Sequence, residues 1–350
     1  MDCGSQHRAL PRVAPLSRLV AVDTVARAPR GPPAGGNALK PAFKKSWTWA
    51  KRLAPWVLAG AVVYLLFDYA KEVDWSEVWQ TLKAFPVSLL LVSAGLALLS
   101  HAVYASYDVI GRLLTRHPVG PVRSWGIAAI SFAFNLNFGA LIGGLGLRLR
   151  LYTRRGLDLG TVGQVAMYSV LTNWLGWCWV AGVALTLTPL RVDVEWVPGV
   201  TALRILGVAL LLGAVSYHAM CARWGGATMQ VREQRITLPK WRVSTMQGGL
   251  GALSWLLMGL SMCNLLGWRI DYPTVLGVLL LAAVAGAIAH VPAGLGVLEA
   301  VFVAALHGRL PTTDILAAVL AYRALHHLLP LSLALPAYAL DEATAKRQTA

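Results

Sequence analysis

The stretch YPTVLGVLLLAAVAGAIAHVPAGLGVL, residues 272–298, contains no Asp, Glu, Lys or Arg. A helix that crosses a bilayer needs about 20 mainly apolar residues, so this stretch is long enough to enter lipid. It closes, however, with Pro292, Gly294 and Gly296, which do not propagate a helix. The stretch therefore predicts a membrane helix that breaks before it ends.

The rest of the chain is similarly apolar. Hydrophobic residues make up 57% of the 350 residues and charged residues only 13%, and the mean hydropathy is +0.58. So little polar surface cannot cover a soluble globule of this length, and lipid is the expected solvent. Other uncharged runs lie at 84–107, 124–147, 159–190 and 243–268, and two shorter apolar runs lie at 53–67 and 205–222.

The net charge of +15 comes from basic residues between these runs. In a membrane protein this is the positive-inside pattern, so we expect no nucleic-acid partner. The four cysteines have no paired spacing, which predicts neither a disulfide nor a metal site. The sequence also lacks a Gly-x-Ser-x-Gly elbow, a Walker A loop and a His-Glu-x-x-His motif. We therefore expect no catalytic residues, no cofactor and no enzyme.

Three regions follow from composition. Residues 1–50, rich in Pro, Gly, Ala and Arg, are expected to form a disordered basic cytoplasmic tail. An alternative is that residues 1–39 precede the native start, because sequence suited to a membrane begins near Lys40. A transmembrane domain is predicted over 51–342 and a short cytoplasmic tail over 343–350.

The charges of the connections orient the first spans. Residues 1–52 carry ten basic and two acidic residues, or +8, whereas 68–83 carry two basic and four acidic residues, or −2. The N-terminus is therefore expected in the cytoplasm, with one helix at about 53–70 running outward and a second at 84–107 returning.

A simple third span at 124–147 would place the basic connections after residues 147 and 222 outside. Both conflicts disappear if this segment enters from the cytoplasm, breaks and returns. The break-prone residues are Asn135, Asn137, Gly139, Gly143, Gly144 and Gly146. Full spans are then expected at about 160–188, 201–222 and 243–267.

The second broken segment, 272–298, enters from the opposite face and returns through 297–308. The last span, 314–340, then places the C-terminus in the cytoplasm. The predicted fold is thus an all-α polytopic membrane protein with six full spans and two opposed re-entrant broken helices, an arrangement compatible with an inverted repeat. The alternative is eight plain spans packed through glycines, which violates the charge rule twice.

Ionisable residues are costly in lipid and are therefore candidates for function. Arg148 and Arg150 follow the first break and either bind a phosphate or anchor the chain at the cytoplasmic surface. Glu299 begins the returning half-helix, where the helix dipole favours a carboxylate. Arg323 lies deep in the last span. We expect Glu299 and Arg323 to face one cavity as partners, directly or, as we favour, through a bound phosphate.

Other polar residues near the breaks have weaker assignments. Asn135 and Asn137 either cap the broken helices, which we favour, or contact a lipid headgroup. Four histidines could relay protons, although packed or interfacial positions are favoured: His101, His290, His326 and His327.

The two broken segments resemble the lysylphosphatidylglycerol synthase transmembrane (flippase-like) domain family, in its YbhN-like subgroup and without the synthase domain. The motif Pro292-Ala-Gly294-Leu-Gly296-Val-Leu-Glu299 carries the most specific match. The resemblance also includes Phe134-Asn-Leu-Asn137 with the glycines and the basic run that follow it, and Arg323 with Pro330. Many members have a Pro-Gly pair after the first Asn, where this chain has Phe138-Gly139-Ala140.

This resemblance implies a bacterial inner-membrane protein whose partners are membrane lipids. Related domains flip aminoacylated phosphatidylglycerol, and others accompany polyprenyl-linked sugar synthesis. The expected function is translocation of an anionic phospholipid or a polyprenyl-phosphate-linked lipid. Two alternatives remain open: a scaffold that presents lipid to a separate lipid-modifying enzyme, and a secondary transporter of a small anionic solute. Lipid aminoacylation is not implied, since that chemistry belongs to a soluble domain.

Overall fold

A computed structural model describes residues 74–187, 199–231, 234–289 and 294–349. The predicted tail at 1–50, the predicted first span at about 53–70, His290 and Pro292 lie outside these described residues.

The described chain consists mainly of helices. They are α1 Trp75–Lys83, α2 Val87–Thr115, α3 Pro121–Phe138, α4 Leu147–Thr153, α5 Leu159–Leu187, α6 Val200–Trp224, α7 Trp241–Leu265, α8 Tyr272–Ala289, α9 Val297–Leu306, α10 Thr312–Arg323 and α11 Leu329–Thr349. Two π-helical segments, Ala140–Gly146 and Ala324–Leu328, follow α3 and α10. Strands β1 Thr228–Val231 and β2 Gln234–Thr237 pair antiparallel, with Thr228 opposite Thr237.

Six helices within the described residues are long and apolar enough to cross a membrane: α2, α5, α6, α7, α8 and the continuous helical run Thr312–Thr344. The prediction of an all-α polytopic membrane protein is confirmed. Five of the predicted full spans correspond to members of this set, and the sixth lies outside the described residues. Helix α8 also has spanning length, although the sequence analysis treated it as one arm of a broken helix.

One end of the helix bundle contains the connections 116–120 and 154–158 and the described residues 225–231 and 234–240, and we call it the basic end. Val119, Leu157 and Tyr152 share one buried cluster, which places the first two connections together. The Tyr168 hydroxyl, near the start of α5, donates to the Thr237 carbonyl at 2.7 Å. The segment from α3 to α4 therefore begins and ends at the same end of the bundle.

The opposite end contains the connections 266–271 and 307–311. Arg269 and Asp314 form an ion pair there at 2.7 Å. Leu266, Leu306 and Ile315 belong to one buried cluster. The segment from α8 to α9 therefore also begins and ends at one end, and it enters from the end opposite to the first hairpin. That these hairpins are re-entrant in a bilayer stays a prediction.

Glycines make the first hairpin sterically possible. Gly139 ends α3 with φ +83°, a conformation that costs little only for glycine. The chain then folds back so closely that a Cβ on Gly143 would lie 2.2 Å from the Phe134 carbonyl oxygen. In the second hairpin, Gly294 and Gly296 have φ +56° and +79° immediately before α9. Each break thus depends on positions that a larger residue cannot occupy without strain.

The order of elements repeats. Helix α2, the first hairpin and α5 form one series, and α7, the second hairpin and the run α10 to α11 form another. Because α2 runs toward the basic end and α7 runs away from it, the second series has the opposite direction. Helices α2 and α7 pack against each other through small polar residues, with the Ser100 hydroxyl 3.2 Å from both the hydroxyl and the carbonyl oxygen of Ser254.

Candidate functional site

A cavity of about 350 Å³ lies where the two hairpins meet. Asn135 and Leu136 line it from the end of α3, and Gly294 and Leu298 line it from the second break. Tyr322 near the end of α10 and His326 and His327 of the following π-helical segment complete its polar wall. The remaining lining residues are mostly apolar, including Trp255, Met258, Leu279, Ala282 and Gly286. The cavity is thus built from both predicted breaks, although the lining residues Asn135 and Gly294 are 159 positions apart in sequence.

The Glu299–Arg323 ion pair fixes the second break. Arg323 Nη2 donates to Glu299 Oε2 at 2.9 Å and to the Gly294 carbonyl at 2.7 Å, while Arg323 Nε donates to Glu299 Oε1. The two side chains are only 11% and 18% exposed. The pairing is direct. Neither residue is among the described residues that line the cavity; their neighbours Gly294, Leu298 and Tyr322 are. The pair therefore contributes no surface to the cavity but contacts or adjoins residues that do.

The two predicted asparagines occupy different positions. Asn135 lines the cavity, and its Oδ1 lies so near Gly144 that a Cβ there would be 3.0 Å away. Asn137 Nδ2 donates to the Ala133 carbonyl at 2.8 Å and to the His327 carbonyl at 3.0 Å. Asn137 thus connects the first hairpin to the π-helical segment Ala324–Leu328, a contact between residues 190 positions apart.

An aromatic and imidazole cluster lies on this π-helical segment. The His326 ring is fully buried and stacks on Tyr322, with centroids 5.0 Å apart and an interplanar angle of 13°. Within the described part of the chain, both His326 nitrogens, the Tyr322 hydroxyl and His327 Nδ1 are buried without a hydrogen-bond partner. All three residues line the cavity. Sequence analysis favoured packing roles for these histidines and did not identify Tyr322, because a lone tyrosine in an apolar helix carries no distinctive pattern.

Arg148 lies in a separate buried ion pair. Its Nε donates to Asp108 Oδ1 and Oδ2 at 3.2 and 3.1 Å, Nη1 to the Gly144 carbonyl and Nη2 to the Ser169 hydroxyl. The Tyr152 hydroxyl also donates to Asp108 Oδ2, at 3.2 Å. The Arg148 and Asp108 side chains are 5% and 0% exposed. The protein itself thus supplies acceptors to this guanidinium, which sequence analysis had considered for phosphate binding or surface anchoring.

Arg150 belongs to an arginine cluster at the basic end. It donates to Glu342 at 3.1 Å, and Arg154 makes a two-point contact with the same carboxylate. Arg155 pairs with Asp341. A cleft of about 460 Å³ opens beside these residues and is also lined by Arg123. This basic surface lies at the end of the bundle where the first hairpin begins and ends, away from the turns of the two hairpins.

His117 is a buried histidine at the same end, in the connection between α2 and α3. Neither of its nitrogens has a hydrogen-bond partner among the described residues. Burial lowers the pKa of His117, and the nearby Arg112 guanidinium lowers this pKa further. At neutral pH the ring is therefore expected to be uncharged.

Comparisons with known proteins agree with this architecture. The family model described as "Lysylphosphatidylglycerol synthase TM region" matches residues 53–334. The chain is 39% identical over 302 residues to Inner membrane protein YbhN of Escherichia coli (strain K12), covering 86% of this chain and 95% of that protein. It is 27% identical over 315 residues to Uncharacterized protein slr0712 of Synechocystis, covering 84% of this chain and 94% of that protein.

Proposed function

The chain belongs to the lysylphosphatidylglycerol synthase transmembrane family, and from this premise we propose that it is a lipid translocator without catalytic activity. It passes an anionic headgroup, from a phospholipid or a polyprenyl-phosphate-linked lipid, through the cavity between its two hairpins.

The position of the cavity carries this proposal. Both glycine-containing breaks line it, and the hairpins that bear them start from opposite ends of the bundle. Opposed broken segments around a central site are typical of transporters that expose one site alternately to the two sides of a membrane. A cavity with this placement is reachable from either side by a movement of one hairpin.

The chemistry of the surfaces fits a lipid. The polar cavity groups are the Asn135 amide, the Tyr322 hydroxyl and the imidazoles of His326 and His327, all able to donate to a phosphate. The outward faces of the spans are apolar; Leu91 and Leu212, for example, are 67% and 62% exposed. A headgroup can therefore cross through the cavity while its acyl chains remain in the surrounding lipid.

A scrambling assay tests the proposal. The full-length protein is reconstituted in vesicles of phosphatidylcholine and phosphatidylglycerol containing a trace of phosphatidylglycerol with a fluorophore on its acyl chain near the headgroup. An impermeant reductant is then added. Protein-free vesicles lose only the outer-leaflet fluorescence, and we expect the protein to expose the inner-leaflet lipid as well. No loss beyond the outer leaflet would overturn the proposal, as would uptake of inorganic phosphate without any lipid movement.

A cavity-filling variant tests whether the lipid headgroup passes through this cavity. A side chain added at Gly286 meets nothing within 4 Å of its Cβ and projects from a residue that lines the cavity. We expect Gly286→Phe to block lipid movement. Gly213→Phe is the matched control, because Gly213 is equally open but exposed on α6, which contributes no described residue to the lining. Equal transport by both variants would exclude this cavity as the path.

A further inference from the structure

We propose that the cavity is a proton-linked anion site, in which Tyr322, His326 and His327 bind the phosphate group and His326 takes up one proton from water as the phosphate enters. This inference rests on the proposed function and adds its ligand chemistry and its coupled ion. The only bonds that change are those of the proton: its bond to a solvent acid breaks, an N–H bond forms on the imidazole, and the resulting cation faces the phosphate anion.

Unpaired polar atoms are the first observation behind this site. Buried polar groups in proteins normally have hydrogen-bond partners, and exceptions call for a ligand or another explanation. Among the residues that the structure describes, four such atoms occur together: both nitrogens of His326, the Tyr322 hydroxyl and His327 Nδ1. His326 and Tyr322 are 0% and 1% exposed. Their residues line a cavity large enough for a phosphate group.

The local backbone explains why these groups are adjacent. The helix changes from α to π geometry at Ala324–Leu328, and π-helical turns often occur at functional sites. The change leaves the Tyr322 and His326 rings stacked and sets the His327 ring at 69° to both. The three polar groups thus approach the cavity from two directions, which suits an anion with several oxygens.

The charges around His326 explain why proton and anion must enter together. Among the described residues, four elements pack against its segment: α2, α3, α10 and α11. In this part of the chain, the ionisable groups that act on His326 and His327 are His101 of α2 and Arg323 of α10, besides each other. The nearby carboxylate, Glu299, already accepts from Arg323 through both oxygens.

A proton on His326 would therefore add positive charge to a buried site in which Arg323 already acts on the neighbouring His327. Such a charge without a counter-ion is costly in an apolar environment. A bound phosphate removes this cost, and the proton in turn compensates the phosphate. Linkage of this kind is reciprocal: the anion raises proton uptake, and lower pH raises anion affinity by the same factor.

Calorimetry tests the site directly. Binding of dihexanoyl phosphatidylglycerol to the detergent-solubilised full chain is measured between pH 6 and 8 in buffers of different ionisation enthalpy. We expect uptake of about one proton per anion and affinity that falls up to about tenfold per pH unit as pH rises. Inorganic phosphate, tested in parallel, shows whether the phosphate alone suffices or the lipid headgroup is required. Phosphatidylglycerol is a phosphodiester and stays a monoanion over this pH range, whereas inorganic phosphate itself titrates within it. Affinity for dihexanoyl phosphatidylglycerol that is independent of pH would therefore overturn the inference.

Three variants test which residues are responsible for anion binding and proton uptake. His326→Gln keeps a polar side chain and should remove proton uptake and the pH dependence. Tyr322→Phe deletes a hydroxyl that has no hydrogen-bond partner among the described residues, so it should fold normally and bind the anion at least several-fold more weakly. His117→Gln is the control, because it changes another buried histidine whose nitrogens have no hydrogen-bond partner in the described part of the chain, and His117 does not line the cavity. The wild-type pH dependence in His326→Gln would contradict the site.

The two proposals fail in different ways. If the protein scrambles lipid but binds the anion without proton uptake, the proton-linked site is wrong and the translocator stands. If anion and proton bind together but no lipid moves in vesicles, the site stands and the translocator is wrong.

Discussion

At the residue scale, two buried arginine–carboxylate pairs support the two hairpins. Arg148 follows Gly146 and pairs with Asp108 of α2, and Glu299 follows Gly296 and pairs with Arg323 of α10. Each pair joins the returning arm of a hairpin to a neighbouring span. In the first pair the arm carries the arginine and the span the carboxylate, and in the second pair the arm carries the carboxylate and the span the arginine. Burying such pairs adds little net stability, but removing one partner leaves an uncompensated charge, which is strongly destabilising.

We expect Asp108→Asn to lower the free energy of unfolding by about 3–5 kcal/mol, because Arg148 would remain buried without a counter-charge. The matched control is Asp314→Asn, whose partner Arg269 is 49% exposed. Its cost should be no more than about 1 kcal/mol. Thermal unfolding of the purified variants in detergent measures both. Equal losses of unfolding free energy in the two variants would show that the buried Asp108–Arg148 pair is no more important for stability than the exposed Asp314–Arg269 pair.

The Glu299–Arg323 pair should show strong coupling. Arg323→Ala leaves Glu299 and the Gly294 carbonyl without their principal donor, so we expect a loss of about 3–5 kcal/mol. The double variant Glu299→Gln/Arg323→Ala should lose less than the sum of the single variants. Arg323→Lys should restore folding only in part, since an ammonium cannot reproduce the two-point contact.

A different result would assign the pair to ligand binding. If Arg323→Ala folds normally and loses only lipid movement, then Arg323 holds the headgroup, as the sequence analysis favoured. Measuring unfolding and scrambling separately for Glu299→Gln, Arg323→Ala and the double variant decides between these roles. Full transport by all three would remove the pair from the mechanism.

At the element scale, a glycine contact sets the crossing of α5 and α7. A Cβ on Gly251 would lie 2.3 Å from the Thr172 carbonyl oxygen, and one on Gly176 would lie 2.0 Å from the Gly251 carbonyl carbon. The two backbones therefore touch, as in other membrane helices that pack through small residues. Glycine-mediated packing, which the sequence analysis linked to the alternative of eight plain spans, here coexists with the two hairpins.

We expect Gly251→Leu to separate these helices and to destabilise the protein by at least about 1–3 kcal/mol, the usual cost of overpacking. Gly249→Leu is the matched control, because Gly249 is exposed on the same helix and a Cβ there meets nothing within 4 Å. The comparison is made by thermal unfolding and by the yield of monodisperse protein. If the two variants behave alike, the close approach is not required for folding.

At the scale of the whole molecule, the distribution of charge predicts orientation. The basic end carries the Arg150, Arg154 and Arg155 cluster, held by acidic residues of α11. Lysine- and arginine-rich connections normally stay in the cytoplasm. The prediction is therefore that the basic end and the C-terminal residues face the cytoplasm, with the connections 266–271 and 307–311 outside.

Cysteine accessibility tests this topology. In a variant without its native cysteines, Cys introduced at Thr153 or Arg232 should resist an impermeant thiol reagent in intact spheroplasts, because positive-inside topology places both positions in the cytoplasm. Cys introduced at Asp74 or His307 should react. Permeabilised cells provide the control for labelling of the first two positions. Reaction at position 153 from outside would show that the first hairpin crosses the membrane fully.

The sequence alone determined the features that depend on local chemistry. Apolar runs of spanning length predicted most of the membrane helices, because burial of a helix in lipid depends on its own composition. The glycines at 139, 294 and 296 marked breaks, since the backbone angles they adopt are costly for other residues. The charges of the connections predicted two hairpins from opposite faces, and the described hairpins start from opposite ends of the bundle.

Only the tertiary structure decided which residues meet. The pairing of Arg148 with Asp108 joins positions 40 residues apart, and no pattern in the sequence marks Asp108 as the partner. The Glu299–Arg323 contact was expected, but its direct geometry and its position behind the cavity wall came from packing. The sequence analysis named His326 and His327 but not Tyr322. That polar atoms of these three residues are buried together without hydrogen-bond partners among the described residues came from the fold. Whether a buried polar atom has a partner depends on neighbouring elements brought close by the fold, and no local pattern encodes that environment.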